Sequence, residues 1–438
     1  AGRRHALGRP VTVTPELHAR SVPLDYGPDA LEYDGSPTVL FDRPGLTLVG
    51  WGTAQLVSAD AATTTLAAIP CDDAVQRLGS GAVAMGALTF DDAMHGQLVI
   101  PRFTMGISRD ADGVTRRWAT AVGPSDMPLP STDELFDAVL WQYGRAPLAA
   151  ADPAVTELST LMDSAGYGAM VASAVAHMRA PGATLHKVVL SRQVALGLSG
   201  PLPLAAVLRR LRAGEPNCTI FSMPIPDGVF FGASPELLVA RHGNRVTCQP
   251  LAGTISRGDT ARADADAQRD LARSGKSRAE HRYVVDAVAA TLAPYCDQLA
   301  VPEAPSLVAF RSVAHLGTRI EGQLRDGVGV LELLERLHPT PAVGGTPRPE
   351  ALAFIGHAEA GERGYWAGPV GWAGASGDGE WMIGIRSAQL DASGCAVMLR
   401  AGAGIVADSD PAAEAAETNV KLSTVLEAVL PGTSMKLR

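Results

Sequence analysis

The chain has 438 residues, of which 46% are hydrophobic and 19% charged, a balance typical of a globular protein and not of a disordered one. Its net charge of −9 argues against nucleic acid as the main partner, and the absence of any run of about 18 apolar residues excludes a membrane-spanning helix. The N-terminal arginines are not followed by the apolar stretch of a secretory signal, and five scattered cysteines form no CxxC pair. These features predict a cytoplasmic protein with reduced thiols.

Residues 1 to about 150 alternate between short strands and turns. The segment "PTVLFDRPGLTLVGWG" contains two β-rich runs separated by Asp-Arg-Pro-Gly, and "GQLVIPRFTMGISRD" predicts another strand. A helix is predicted over "STDELFDAVLWQYGR", since Ser131 or Thr132 can cap it and two acidic residues follow in the first turn. A longer helix is predicted from about Val155 to Met178.

The remaining sequence mixes strands with helices. Strands are predicted over "HKVVLSRQVAL", "CTIFSMPI", "VFFGAS", "LLVARHG", "RVTCQP", "GEWMIGIRSAQL" and "CAVMLRAGAGIV". Helices are predicted over "PLAAVLRRLRAG", "GVLELLERLHP", "SDPAAEAAETNVKL" and a continuous segment from Asp259 to Cys296. No linker or short repeat divides the chain, and the adjacent hairpins indicate an α+β sandwich with a mostly antiparallel sheet.

Two ionisable residues interrupt apolar sequence, where an unpaired charge is costly. Lys187 opens the apolar strand "KVVLSR"; it either extends from the strand end into solvent or, if desolvated, acts as a general base. Glu236 follows a Ser-Pro turn in "FGASPELLVA"; it is either an ordinary turn carboxylate or a general acid whose pKa is raised by apolar neighbours.

Further candidates occur as single residues within structured segments. Gly253 and Thr254 form a tight turn that either only turns the chain or offers N–H groups and a hydroxyl to a carboxylate. Glu280 falls on the partly buried stripe of a helix, an awkward place for an unpaired carboxylate. His315 is either a satisfied core histidine or a ligand, and Arg386, alone in an apolar strand, suits a substrate carboxylate.

The C-terminal helix carries Glu414, Glu417 and Lys421 on one face, which by itself could be a solvated surface. Together with the preceding candidates, these charges indicate a site for an anionic molecule inside an acidic protein. Glu280 and Glu417 could share one hard divalent ion, for which Mg²⁺ is the best candidate. Arg386 and the backbone of Gly402–Gly404 could hold a second carboxylate.

Eight motifs together resemble the chorismate-utilising enzymes, and above all their isochorismate synthases. They cover roughly Val155 to Leu430 in the order of the family: "KVVLSR", "FGASPELLV", "PLAGT", "AEHRYVVDAV", "LHPTPAVGGTP", "YWAGPVGW", "WMIGIRSAQL" and "AGAGIVADSDPAAEAAETNVKLSTVL". The resemblance implies one large two-layer α/β domain over residues 1–438, with the less typical first 150 residues built into it.

The resemblance also implies a Mg²⁺ site that binds chorismate, a dianion. The residues implied for the metal and the ring carboxylate are Glu280, Glu417, Glu414 (through a water), Gly253, Thr254 and Lys421. Those implied for the enolpyruvyl carboxylate are Arg386, Tyr365, Gly402 and Gly404, with His315 near the ring.

The reaction implied is the addition of water at C2 as the C4 hydroxyl leaves. Lys187 matches the base of the family and Glu236 the acid, so the lysine must start neutral and the glutamate protonated. Ammonia-using members carry glutamine at Lys187, which argues for water as nucleophile and against an amidotransferase subunit. The 4-amino type carries a lysine where this chain has Ala252.

Ala342 in "HPTPAVGG" separates two further possibilities. Salicylate synthases usually have threonine at this position, whereas isochorismate synthases have alanine, so the resemblance implies an enzyme that stops at isochorismate. A salicylate synthase, or a non-catalytic chorismate-binding protein, remains the alternative. The resemblance further implies a monomer whose product serves siderophore, menaquinone or antibiotic formation.

Overall fold

The computed structural model describes residues 16–27, 29, 31, 37–110, 112–143, 152–160 and 162–432. The strands are β1 (Leu17–Leu24), β2 (Val39–Arg43), β3 (Leu46–Ser58), β4 (Cys71–Asp73), β5 (Val83–Ala87), β6 (Gln97–Arg109), β7 (Thr115–Pro124), β8 (Val155–Thr160), β9 (Lys187–Leu198), β10 (Thr219–Ile225), β11 (Gly228–Ser234), β12 (Leu237–His242), β13 (Arg245–Gln249), β14 (Leu251–Ser256), β15 (Cys296–Ala300), β16 (Ser306–Ala309), β17 (Val313–Gly317), β18 (Ile320–Leu324), β19 (Gly345–Thr346), β20 (Pro369–Gly374), β21 (Gly379–Ile383), β22 (Ser387–Asp391) and β23 (Ala396–Val406).

The helices are α1 (Ala59–Ala67), α2 (Thr132–Tyr143), α3 (Ser164–Arg179), α4 (Leu204–Gly214), α5 (Ala261–Arg273), α6 (Gly275–Leu292), α7 (Val330–Leu337), α8 (Arg348–Ala358) and α9 (Pro411–Val429). Within the described ranges, no helix is both long and apolar enough to cross a membrane.

Twenty of these strands form one sheet, and β14, β16 and β17 form a second. Among the described strands, every pairing is antiparallel except that of β1 with β4. The structure therefore confirms the predicted α+β class and the mostly antiparallel sheet. The N-terminal strands belong to the large sheet, because β2 pairs with β10 and β5 pairs with β20.

Two helix predictions were wrong in their extent. The predicted helix from Val155 to Met178 is divided, because its first six residues form the edge strand β8 on β9 and the helix α3 starts only after its N-cap, Asp163. The segment from Asp259 to Cys296 contains two helices, since Ser274 ends α5 and caps α6 by accepting a hydrogen bond from the Ser277 N–H. A capping side chain inside an otherwise helical pattern gave the missing signal in both places.

The strand β23 and the helix α9 pack together and form one side of the cavity described below. β23 pairs with β9 in register from Lys187↔Val406 to Gly197↔Ala396. α9 begins at Pro411, and the side chain of Asp410 caps it by accepting a hydrogen bond from the Ala413 N–H. Its apolar face, including Leu422 and Leu426, is buried in the same core cluster as residues of both strands. This packing directs the opposite, charged face of α9 along the glycine-rich part of β23.

A buried ion pair ties the N-terminal strands to the rest of the sheet. Arg43, at the end of β2, donates from Nε and Nη2 to the two carboxylate oxygens of Glu380 on β21, whose side chain is 1% exposed. His242 Nε2 lies 2.7 Å from Glu380 Oε1. Burial opposes ionisation of Glu380, but these two partners outweigh it and hold the pKa of the carboxyl below its ordinary value.

Replacing Arg43 with methionine would leave the buried Glu380 with only the partly exposed His242 as a partner. We expect R43M to lower the free energy of unfolding by about 2–3 kcal/mol in urea titrations, because an uncompensated buried carboxylate is costly. The control R20M removes an exposed pair, 3.8 Å from Asp72, and is expected to change it by less than about 0.5 kcal/mol. Equal stability of the two variants would contradict this role for Arg43.

Candidate active site

Eleven of the residues singled out in the sequence line one cavity of about 660 Å³, its open mouth included. They are Glu236, Gly253, Thr254, Glu280, His315, Ala342, Arg386, Gly402, Gly404, Glu417 and Lys421. The cavity lies where β9 and β23 of the large sheet face β14 and β17 of the small sheet, with α6 and α9 alongside.

Lys187 lies beside this cavity at the start of β9. Its side chain is fully buried, and Nζ is 3.0 Å from Glu280 Oε1 on α6. Within the described part of the chain, no group accepts a well-aligned hydrogen bond from this nitrogen. A buried amine with unused hydrogen-bonding capacity is costly, so this arrangement is expected where a ligand or water completes the site.

Gly404 makes the lysine–glutamate contact possible. A Cβ at this position would lie 2.1 Å from Glu280 Oε1 and 3.0 Å from Lys187 Cε, so a side chain would displace the pair. At Gly402, a Cβ would lie 2.6 Å from the carbonyl oxygen of Leu190. The two glycines of "AGAG" are therefore needed because neighbouring protein atoms occupy the space that a side chain would take.

Glu236 occupies the link between β11 and β12 and is 4% exposed. Burial raises the pKa of its carboxyl to about 7, although a long hydrogen bond from the Leu251 N–H and the charges of Lys187 and Lys421 oppose the rise. A substantial fraction of this carboxyl therefore keeps its proton at neutral pH, which is the state that a general acid requires.

His315, Arg386 and Thr254 form a hydrogen-bonded chain. Burial and the charges of Arg386 and Lys421 hold the pKa of His315 well below its ordinary value, so the ring is neutral. A guanidinium can only donate, so His315 Nε2 accepts from Arg386 Nη2 at 3.2 Å. The proton is then on Nδ1, which donates to Thr254 Oγ1 at 3.1 Å.

Arg386 has a backbone φ of 50°, a conformation sparsely populated outside glycine. Such strain persists where the surroundings hold a residue in place, and it concentrates at functional sites. Here it precedes β22 and turns a buried guanidinium into the cavity, next to neutral His315. A planar cationic fork in this position suits a carboxylate ligand.

α9 contributes a second charged pair. Lys421 Nζ lies 2.6 Å from Glu417 Oε1 and donates to the carbonyl oxygen of Gly402 at 2.8 Å. Burial opposes ionisation of Glu417, but Lys421, Thr254 and Lys276 outweigh it and hold the pKa of this carboxyl below its ordinary value. The helix face that could have been solvated is therefore part of the cavity wall.

Glu414 and Lys276 form a third pair, at 2.5 Å. Burial and the neighbouring charge of Glu417 raise the pKa of Glu414 despite this contact. Sequence reasoning missed Lys276, although a signal was present. The chain has only four lysines, and three of them, Lys187, Lys276 and Lys421, pair with these glutamates.

Besides Lys187, which lies beside the cavity, two predicted residues are outside its lining, and Tyr365 is one of them. It is partly buried against the core, with its ring centroid 6.0 Å from that of Phe230. Glu414 is also outside the lining, one helical turn before Glu417. Lining residues that sequence reasoning missed include Val189, Val343, Trp366 and Arg400. Val189, an apolar residue within a strand, gave no signal that distinguished a cavity wall from the core, whereas Arg400 interrupts an apolar strand as Arg386 does.

The carboxylates predicted to hold Mg²⁺ provide only hard oxygen donors, as this ion prefers. Glu280 and Glu417 line the same cavity, and Lys276 interacts electrostatically with both of them and with Glu414, so a cation is already accommodated among the three. In the described ranges, no group of three or more His, Cys, Asp or Glu side chains is placed to hold a metal ion. Mg²⁺ commonly uses one or two carboxylates and retains water, so the pair of glutamates fits it.

The chain is similar to several known proteins. The family model described as "Chorismate binding enzyme" matches residues 46–430. A Mycobacterium tuberculosis protein provisionally named isochorismate synthase MenF is 38% identical over 364 residues, covering 81% of this chain and 88% of the relative. Isochorismate synthase EntC of Escherichia coli is 38% identical over 273 residues, covering 62% and 69%.

Among solved structures, MenF, the menaquinone-specific isochorismate synthase from Escherichia coli, has a TM-score of 0.79 and 25% identity and covers 95% of each chain. The chain therefore belongs to the chorismate-binding enzyme family, as the motifs predicted.

The raised pKa of Glu236 predicts a cost in stability. Its pKa is about 7 in the folded state against an ordinary 4.5, so from pH 4.5 to 7 the unfolded chain loses this proton first and stability falls. We expect E236Q to be more stable than the wild type by about 3 kcal/mol at pH 8, and nearly equal to it near pH 4.5.

Urea unfolding at both pH values measures this difference. The control E303Q changes an exposed loop carboxylate and is expected to differ from the wild type by less than about 0.5 kcal/mol at either pH. A stability gain for E236Q that does not depend on pH would contradict the assignment.

Proposed function

We propose that this chain is an isochorismate synthase, which converts chorismate to isochorismate. Water adds at C2, the ring double bonds shift, and the C4 hydroxyl leaves as water, so the atoms balance as an isomerisation. The observation that carries the proposal is that protonatable Glu236 lines one cavity together with Arg386 and Lys421, and that buried Lys187 lies beside it. The isochorismate synthase names of the relatives support it.

Lys187 would remove a proton from the attacking water. Its nitrogen is buried and has unused hydrogen-bonding capacity among the described residues, so a water at the cavity wall could be held there. Glu236 would donate its proton to the leaving C4 hydroxyl, since its raised pKa keeps a proton available at neutral pH. One proton is gained and one is lost per turnover, and exchange with solvent restores both groups.

The remaining charges would bind the substrate dianion. Arg386 and Lys421 supply positive charge at the cavity, and His315 supplies none because its ring is neutral. When bound, Mg²⁺ would supply charge for the ring carboxylate, with Glu280 and Glu417 as the residues that would hold it and Glu414 acting through water. Low exposure of these groups strengthens each interaction relative to water.

We further propose that the enzyme acts without a partner subunit. Water as nucleophile requires no amidotransferase subunit, and we propose a monomer in the cytoplasm. All five cysteines are free, which fits a reducing compartment. The isochorismate would then supply the formation of a quinone or a siderophore.

Product identification tests the reaction. Wild-type protein with chorismate and Mg²⁺ is expected to yield isochorismate, detected by chromatography and NMR, while K187Q should lose roughly 10²–10⁴-fold in kcat because the base is removed. The control R319Q changes an exposed pair with Glu321 and should retain wild-type turnover. Substantial fluorescent salicylate without an added lyase would replace this proposal with a salicylate synthase. Chorismate binding without any product would favour a non-catalytic protein.

Removal of the metal tests whether the reaction requires Mg²⁺. After treatment with EDTA and desalting, we expect turnover of chorismate to be lost and then restored by added Mg²⁺ but not by Na⁺, since only a divalent ion offsets two carboxylates and a substrate anion. E417Q should require more Mg²⁺ for half-maximal rate. Full turnover in the presence of excess chelator would exclude a role for the ion.

A further inference from the structure

A second buried ion pair lies directly behind the wall of the cavity. Glu359, at the end of α8, and Arg363 have side chains that are 3% and 2% exposed. Arg363 Nε donates to Glu359 Oε2 at 3.0 Å, and Nη2 donates to Oε1 at 2.5 Å. The spacing of four residues is that of a common surface pair, but these residues are in the interior, where a pair of charges rarely adds stability over apolar residues of equal size.

The other donors of Arg363 bind the backbone of two different segments. Nη1 donates to the carbonyl oxygen of Val343 and Nη2 to that of Val189, both at 2.7 Å. The Glu359 carboxylate accepts a hydrogen bond from the Ser191 N–H at 2.8 Å. The pair therefore joins β9 to the loop before β19, and Val189 and Val343 both line the cavity.

These hydrogen bonds connect β9 to the loop before β19 at the point where the pairing of the two strands ends. β19 pairs with β9 at Gly345↔Val188 and Thr346↔Lys187, and the Val189 N–H donates to the carbonyl oxygen of Gly344. Beyond that point the carbonyl oxygens of Val189 and Val343 both need a donor, and two acceptors cannot bond to each other. The guanidinium supplies a donor to each, which fixes their separation.

Aromatic rings restrain the guanidinium itself. Its carbon lies 4.5 Å from the ring centroid of Phe90 and 5.1 Å from that of Trp366, which lines the cavity. With its fork bound at one edge by Glu359 and its faces against these rings, Arg363 has little freedom to turn. A lysine would keep the charge but could not reproduce this planar set of contacts.

We propose that Glu359 and Arg363 are positioning residues that set the spacing between the strand carrying Lys187 and the loop carrying Ala342. Lys187 is two residues before Val189 on the same face of β9, and Ala342 precedes Val343, so a shift of either carbonyl moves a residue of the site. The proposal rests on the proposed function in assigning Lys187 as the base. Its structural part, the fixed spacing of the two wall segments, stands on the contacts themselves.

The test compares R363K with R43K. Both replace a guanidinium paired with a buried glutamate, but Arg43 and Glu380 lie outside the cavity lining. We expect R363K to lower kcat for isochorismate formation about 10–100-fold while KM for chorismate changes less than about threefold, because the base is misplaced while the anion-binding groups remain. R43K is expected to lose melting temperature without losing kcat. An unchanged kcat in R363K, or an equal kcat loss in R43K, would overturn the proposal.

Crystal structures of the wild type and R363K separate this inference from the proposed function. We expect the separation of the Val189 and Val343 carbonyl oxygens to change by more than about 0.5 Å in the variant, a shift large enough to disturb a catalytic arrangement. Wild-type protein that makes no isochorismate would refute the proposed function. The two crystal structures would still show whether Arg363 sets the separation of the two carbonyl oxygens. An unchanged separation would overturn the positioning role whatever the activity.

Discussion

Three glutamates and three lysines form pairs at or near one cavity, and the arrangement of the site depends on their pairing. An unpaired charge would be costly where the side chain is buried, as those of Lys187 and Glu414 are. Lys421 pairs with Glu417 and Lys276 with Glu414, and Lys187 Nζ lies 3.0 Å from Glu280. Glu236 lies outside this set of pairs, and its carboxyl accordingly favours the protonated state.

The pairs also explain why the two most regular elements of the chain are built as they are. β23 uses glycine where the Lys187–Glu280 contact needs space. α9 presents Glu417 to the cavity while its apolar face is buried against the sheet. Behind the cavity wall, Glu359 and Arg363 form another buried pair. The guanidinium of Arg363 donates hydrogen bonds to two backbone carbonyl oxygens that strand pairing leaves without a donor. Buried charged side chains in this protein therefore also hold backbone segments in place.

Much of the candidate site could be predicted, because several of its ionisable residues interrupt patterns of apolar sequence. Lys187, Glu236 and Arg386 each stood out in a strand or turn, and the structure places all three at or beside the cavity. Lys276 did not stand out, since it occurs in a charged, alanine-rich helical segment that looks like ordinary surface. Tyr365 matched a motif, yet its ring packs outside the lining. The break at Ser274 was missed because one serine within a helical pattern is weak evidence against helix propensity.

The sequence by itself determined the class of fold, the family and most of the charged residues at the cavity, because hydrophobic periodicity and ordered motifs are local properties of the chain. Only the tertiary structure decided which charge meets which. Glu417 could have paired only along its helix, but folding brings it to the same cavity as Glu280, more than 130 residues away in the chain. The pKa of Glu236 and the span of Arg363 likewise depend on burial and on contacts between distant segments. Such contacts arise from packing, which no local pattern encodes.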